Sequence, residues 1–114
     1  MFKQILKINI QYCDEIKEFL ENILTNDNTY ECIKYLNLSL IYSEKIKEFI
    51  YDNFEFFDKL HYIDGLIDDL QLFKNESDIS NIKAVSRPCL SQLKGVKSEL
   101  IKSELLYNEL KNFK

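Results

Sequence analysis

His61 is the chain's only histidine, so any reaction that needs an imidazole must be built around it. One ring cannot serve several schemes at once, and no Ser-His-Asp or Cys-His arrangement emerges from the spacing. Cys13, Cys32 and Cys89 could join His61 as four zinc ligands, but no pair has the Cys-x-x-Cys spacing of such sites. An odd number of widely separated cysteines also argues against a disulfide scaffold and for buried free thiols. There is no glycine-rich phosphate loop and no paired His-Glu metal motif. Adjacent acids such as Asp14 with Glu15, and Asp68 with Asp69, fit a solvated helix surface. The expectation is a protein with no catalytic set, no metal and no cofactor.

The surroundings of His61 sharpen that expectation. Apolar residues Phe56, Leu60, Ile63, Ile67 and Leu70 recur at helical spacing, which predicts a helix from Phe54 to about Phe73. At about 100° per residue, His61 and Gly65 fall on the side opposite this stripe, with Asp58, Asp64 and Asp68 around them. The run His61, Ile63, Gly65 is similar to the motif of histidine phosphotransfer domains, which are acidic four-helix bundles. The resemblance covers five residues and matches three. It implies His61 as a phosphoacceptor, and it gives the alternative reading of the chain as a phosphotransfer domain. Where that family has a lysine to hold the phosphoryl group, this chain has Asp64, whose charge repels it. The competing reading of His61 is a solvated surface residue on an acidic face.

The elements that would carry such a face follow from composition. A chain of 114 residues makes one domain, residues 1–114. With 46% apolar residues it can fill a core, and with two glycines and one proline it lacks the turns of a β-sandwich. From Phe2 to Leu24 the positions Leu6, Ile10, Cys13, Ile16, Leu20 and Ile23 form one helical stripe. "TNDN" (25–28) supplies capping and turn residues. Leu36, Leu40, Ser43, Ile46, Ile50 and Phe54 continue the pattern in a second helix. "KNESD" (74–78) reads as a loop whose Ser77 caps a short helix, ended in turn by Arg87 and Pro88. A last helix follows, carried by Leu90, Leu93, Leu100 and Tyr107. Gly95 within it marks close packing against a neighbour.

These elements predict an all-α protein, an antiparallel four-helix bundle with one short extra helix. The alternation in "KINIQ" and "NLSL" leaves an α+β alternative, with short strands at 6–12 and 36–42. "LKINIQYCDEIKEF" (6–19) also aligns with "LNLSLIYSEKIKEF" (36–49) at an offset of 30. A duplicated helical unit and chance in a low-diversity composition are the two explanations.

Charge and aromatic content frame the function. The net charge of −4 repels phosphate, and all but one of the 15 basic residues are lysine. Direct nucleic-acid binding is therefore disfavoured. The lysines of the last helix (Lys94, Lys97, Lys102, Lys111, Lys114) keep a nucleic-acid-associated accessory role as a further alternative. The first twelve residues lack the apolar core of a signal peptide, and no apolar run reaches the ~20 residues that span a bilayer. That predicts a cytoplasmic protein away from membranes. Seven tyrosines and eight phenylalanines exceed what a narrow core needs. In "YDNFEFF" (51–57) they surround a predicted helix, so Tyr51, Phe54 and Phe57, beside Asp58, Asp64 and Asp68, form the expected interface. The leading reading is a non-enzymatic protein–protein interaction module. It would be an inhibitor or immunity-type protein or an assembly subunit, with a basic partner or a second copy. The bias to Lys, Ile, Asn, Tyr and Phe fits a phage- or plasmid-borne gene.

Overall fold

The computed structural model describes residues 1–53, 55, 57 and 61–112. Among these, four helices and no strands occur: α1 (Phe2–Thr25), α2 (Thr29–Asp52), α3 (His61–Leu72) and α4 (Ile79–Asn112). The protein is all-α, and the strand alternative at 6–12 and 36–42 is set aside, since both stretches lie inside helices.

The first turn forms as its residues dictate. Asn26 Oδ1 accepts from the Asn28 N–H at 2.8 Å, and Asn28 Oδ1 accepts from the Glu31 N–H at 3.0 Å, capping α2. The buried stripe of α1 is Leu6, Asn9, Cys13, Ile16, Leu20 and Ile23. One place differs from expectation: Asn9 takes the core position, and Ile10 sits on the flank. Three buried serines satisfy themselves by donating to the carbonyl one turn back, Ser39 to Tyr35, Ser43 to Ser39 and Ser86 to Ile82.

Three expectations about the second half are corrected. Of the helix expected from Phe54 to about Phe73, the described part is α3 from His61, and Phe57 lies outside any helix. Asn53 ends α2, its side-chain Nδ2 donating to the Phe49 carbonyl at 3.0 Å and its N–H to that of Ile50. The cap of the last helix is Asp78 rather than Ser77, because Asp78 Oδ1 accepts from the Ser80 N–H at 2.9 Å. The short extra helix does not exist separately, because α4 runs through Arg87 and Pro88 without a break. A proline costs a helix interior roughly 3 kcal/mol. Here its ring lies on the exposed side while Val85, Ser86, Cys89 and Leu93 stay buried around it. Burying each such apolar side chain is worth roughly 1.5–3 kcal/mol, so continuity wins.

Cross-helix pairings set the directions. Tyr12 meets Tyr42 and Phe19 meets Tyr35, so α2 runs back along α1. Asp14 meets Lys97 and the Leu24 carbonyl accepts from Lys83, so α4 also runs opposite to α1. On the far side of α4, Tyr62 packs on Gly95 and Asp69 accepts from Gln92. The bundle measures 54 × 19 × 18 Å. At 1.5 Å per residue, the 34 residues of α4 span that whole length, whereas the 12 of α3 span about a third of it. Near Phe2 and Tyr107, among the described residues, α3 does not extend alongside the others. No helix among the described residues is long and apolar enough to cross a membrane.

Candidate functional site

The thiols are structural. Cys13, Cys32 and Cys89 are free and buried, and burial pushes Cys13 and Cys89 up to about 12, far from thiolate chemistry. No group of three metal-ligating side chains clusters among the described residues.

His61 is the first residue of α3 and exposed, its ring 4.2 Å from that of Tyr62. Its surroundings differ from the acidic face expected. Asp64 accepts from the Tyr51 hydroxyl at 2.6 Å and lies 3.4 Å from Lys47 Nζ, which also sits 5.5 Å from the Tyr51 ring. The hydrogen bond to Asp64 holds the Tyr51 phenol above its usual range. These three residues form a latch between the end of α2 and the start of α3. Gly65 faces α4 rather than solvent, since a Cβ there would stand 3.4 Å from the Gln92 side chain. Asp68 is exposed and apart from the latch.

The expected aromatic interface is also redrawn. Phe57 is not on a helix and is buried, with its ring edge-on to Phe49 at 6.1 Å. Helical periodicity does not apply to a residue outside a helix, so the expected exposure of Phe57 is overturned. Phe54, Phe56 and Asp58 lie outside the described residues. Of the expected interface, Tyr51 and Asp64 come together, and among the described residues Asp68 joins neither.

Six of the aromatic rings zip α1 to α2. Phe2 meets Phe49, Tyr12 meets Tyr42, and Phe19 meets Tyr35 and Tyr42, with centroids between 5.1 and 5.8 Å. Such pairs add roughly 0.5–1.5 kcal/mol each beyond buried area. Lys45 Nζ caps the middle of this seam, 5.7 Å from the Tyr12 ring and 5.5 Å from that of Tyr42.

The offset of 30 makes Tyr12 and Tyr42 equivalent, and their rings meet each other, tilted, at 5.1 Å. The two similar segments are thus related by an approximate two-fold axis through that pair. The symmetry fails at one end. Tyr35 stacks on Phe19 at 5.8 Å, but the equivalent of that pair is Ile5 against Phe49. An isoleucine cannot fill the space of a tyrosine ring, and a groove of about 460 Å³ opens there between α1 and α2. Ile5, Ile8, Tyr12 and Phe49 give it apolar walls; Lys45, Glu48, Asp52 and Asn53 line the α2 rim; Asn9 completes the lining. A hollow of about 360 Å³ also exists between α1 and α4 over Cys13, but the 2.6 Å ion pair of Lys97 with Asp14 ties its walls together.

Exposed apolar side chains concentrate at this same end. Among the described residues ten large ones are exposed, and six belong to the start of α1 and the end of α4: Met1, Ile5, Ile8, Ile101, Leu105 and Leu110. Ile8 is 44% exposed and Leu105 59%. Sequence reasoning missed Ile5 and Ile8 because it followed only the main stripe of α1. The signal was a second row, Ile5, Ile8, Tyr12 and Phe19, beside it. Compared with known protein families, curated proteins and solved structures, the chain matches none.

Proposed function

We propose that this protein is a non-enzymatic interaction module that docks on another protein through the end of the bundle where α1 begins and α4 finishes. The observation that carries the reading is the concentration of exposed apolar side chains at that end, six of the ten among the described residues, two of which, Ile5 and Ile8, line a groove. Contiguous apolar surface on a small protein is commonly an interaction site. Both an inhibitor or immunity-type protein and an assembly subunit fit this reading. A photo-crosslinking residue placed at Ile8 or Leu105 should trap one specific protein in extracts of the producing cells. The same group at Lys34 should not. Equal trapping from Lys34, or none from Ile8 and Leu105, would remove the apolar end as the docking surface.

A further inference from the structure

We infer that the α1–α2 groove receives a basic amphipathic helix of the partner protein, seated on Ile5, Ile8 and Phe49 and held by Glu48 and Asp52. This rests on the docking role proposed above and names the chemistry of the partner. Three observations carry it. The groove runs along two antiparallel helices, which is the shape that accepts a helix presenting apolar side chains one turn apart. Its α2 rim is acidic in effect. Glu48 and Asp52 are exposed one turn apart and take part in none of the ion pairs among the described residues; they outnumber the one cation of the lining, Lys45, which lies over the Tyr12 and Tyr42 rings. Two unpaired carboxylates beside an apolar cleft select lysine or arginine flanking an apolar ridge. The net charge of −4 steers such a partner inward.

The third observation is Asn9, which lines the groove and is only 3% exposed. Its Nδ2 donates to the Ile5 carbonyl at 2.8 Å, while its Oδ1 has no donor among the described residues. Buried acceptors are nearly always satisfied, so an orphaned one beside a cleft marks a place where an incoming donor is gained rather than exchanged.

The approximate two-fold axis supplies the test. Ile5→Tyr should fill the groove as Tyr35 fills the equivalent end, without disturbing the core. The probe is a fluorescein-labelled designed helix of leucine and lysine at heptad spacing, compared with its leucine and glutamate counterpart. Both are titrated against the full chain at low salt by fluorescence anisotropy. The basic helix should bind and the acidic one should not. Ile5→Tyr should weaken binding tenfold or more. Glu48→Lys with Asp52→Lys should weaken it about tenfold, each exposed pair turning from attraction to repulsion. Thermal melts of both variants should match the wild type.

Undiminished binding to both variants would put the helix elsewhere, for instance on Asp68 and Asp69 of α3, and overturn the inference. Equal binding of the acidic helix would overturn it too. So would a dimer in light scattering that Ile5→Tyr dissociates, since the occupant would then be a second copy. If neither helix binds while the crosslink from Ile8 persists, the docking role stands and the basic partner does not. If both fail, both readings fall.

Discussion

At the scale of single residues, the sharpest constraint is Gly95. A Cβ built there would stand 2.5 Å from the Tyr62 ring, which cannot yield as a flexible chain end would. Alanine gains the helix roughly 1 kcal/mol over glycine, but overpacking of this kind costs roughly 1–3 kcal/mol. The clash should win, and Gly95→Ala should lower the melting temperature by several degrees. Pairing it with Tyr62→Leu should recover most of the loss. Asn9 runs the other way. Its orphaned carbonyl costs about 1–3 kcal/mol, so Asn9→Leu should raise the melting temperature; a lower one would mean the amide is satisfied and the leucine overpacks. His61 completes this scale. The Asp64 carboxylate follows three residues on, and Tyr51 and Lys47 hold it in place. Incubation with a phosphodonor should leave the chain unlabelled, because that carboxylate opposes a phosphoryl group nearby. Acid-labile phosphate that disappears in His61→Gln would make phosphotransfer the function instead.

At the scale of elements, what was legible in the sequence depended on whether burial or local backbone chemistry decided. α1, the 25–28 turn and α2 follow directly from their apolar stripe and from Asn28, and the structure keeps them within a residue or two. Gly95 was legible for the same reason: a helix accepts glycine where a neighbour needs the room. Pro88 misled because a local rule was applied without the burial around it. The turn before α4 shows local chemistry prevailing instead. Glu76 accepts from the Ser77 and Asp78 N–H groups at 3.0 and 2.9 Å and from Asn81 Nδ2 at 3.2 Å. These bonds, that from the Asp78 N–H first, hold its carboxyl below the ordinary 4.5. A carboxylate with a depressed folded-state pKa adds stability above its unfolded value, and that stability is lost as the pH falls through the folded one. Glu76→Gln should therefore be less stable than wild type in denaturant melts at pH 7. The two should converge at pH values well below 4.5, and a difference unchanged across that range would mean the charge is irrelevant to the turn.

At the scale of the whole molecule, the candidate site was largely hidden because it lies between elements. No stripe within one segment announces that a groove opens between α1 and α2, or that the start of α1 and the end of α4 come together. The pairing of Phe2 with Tyr107 at 4.7 Å brings those ends together, and it appears only when the helices are assembled. The aromatic excess was visible in the sequence, but its destination was not, since six of the rings close the α1–α2 seam. The separation of core from surface on α4 gives the last test. Leu100 is fully buried, whereas Ile101 and Leu105 are exposed one turn apart. Leu100→Ala should cost roughly 2–5 kcal/mol, the usual loss for a buried leucine. Ile101→Asp with Leu105→Asp should stay within roughly 0.5 kcal/mol of wild type per site, as surface changes do. The same double variant should abolish crosslinking from Ile8 if the whole end forms one docking surface. Full crosslinking in a folded variant would confine docking to the α1–α2 side. Unfolding of the double variant would show instead that Ile101 and Leu105 hold the bundle together.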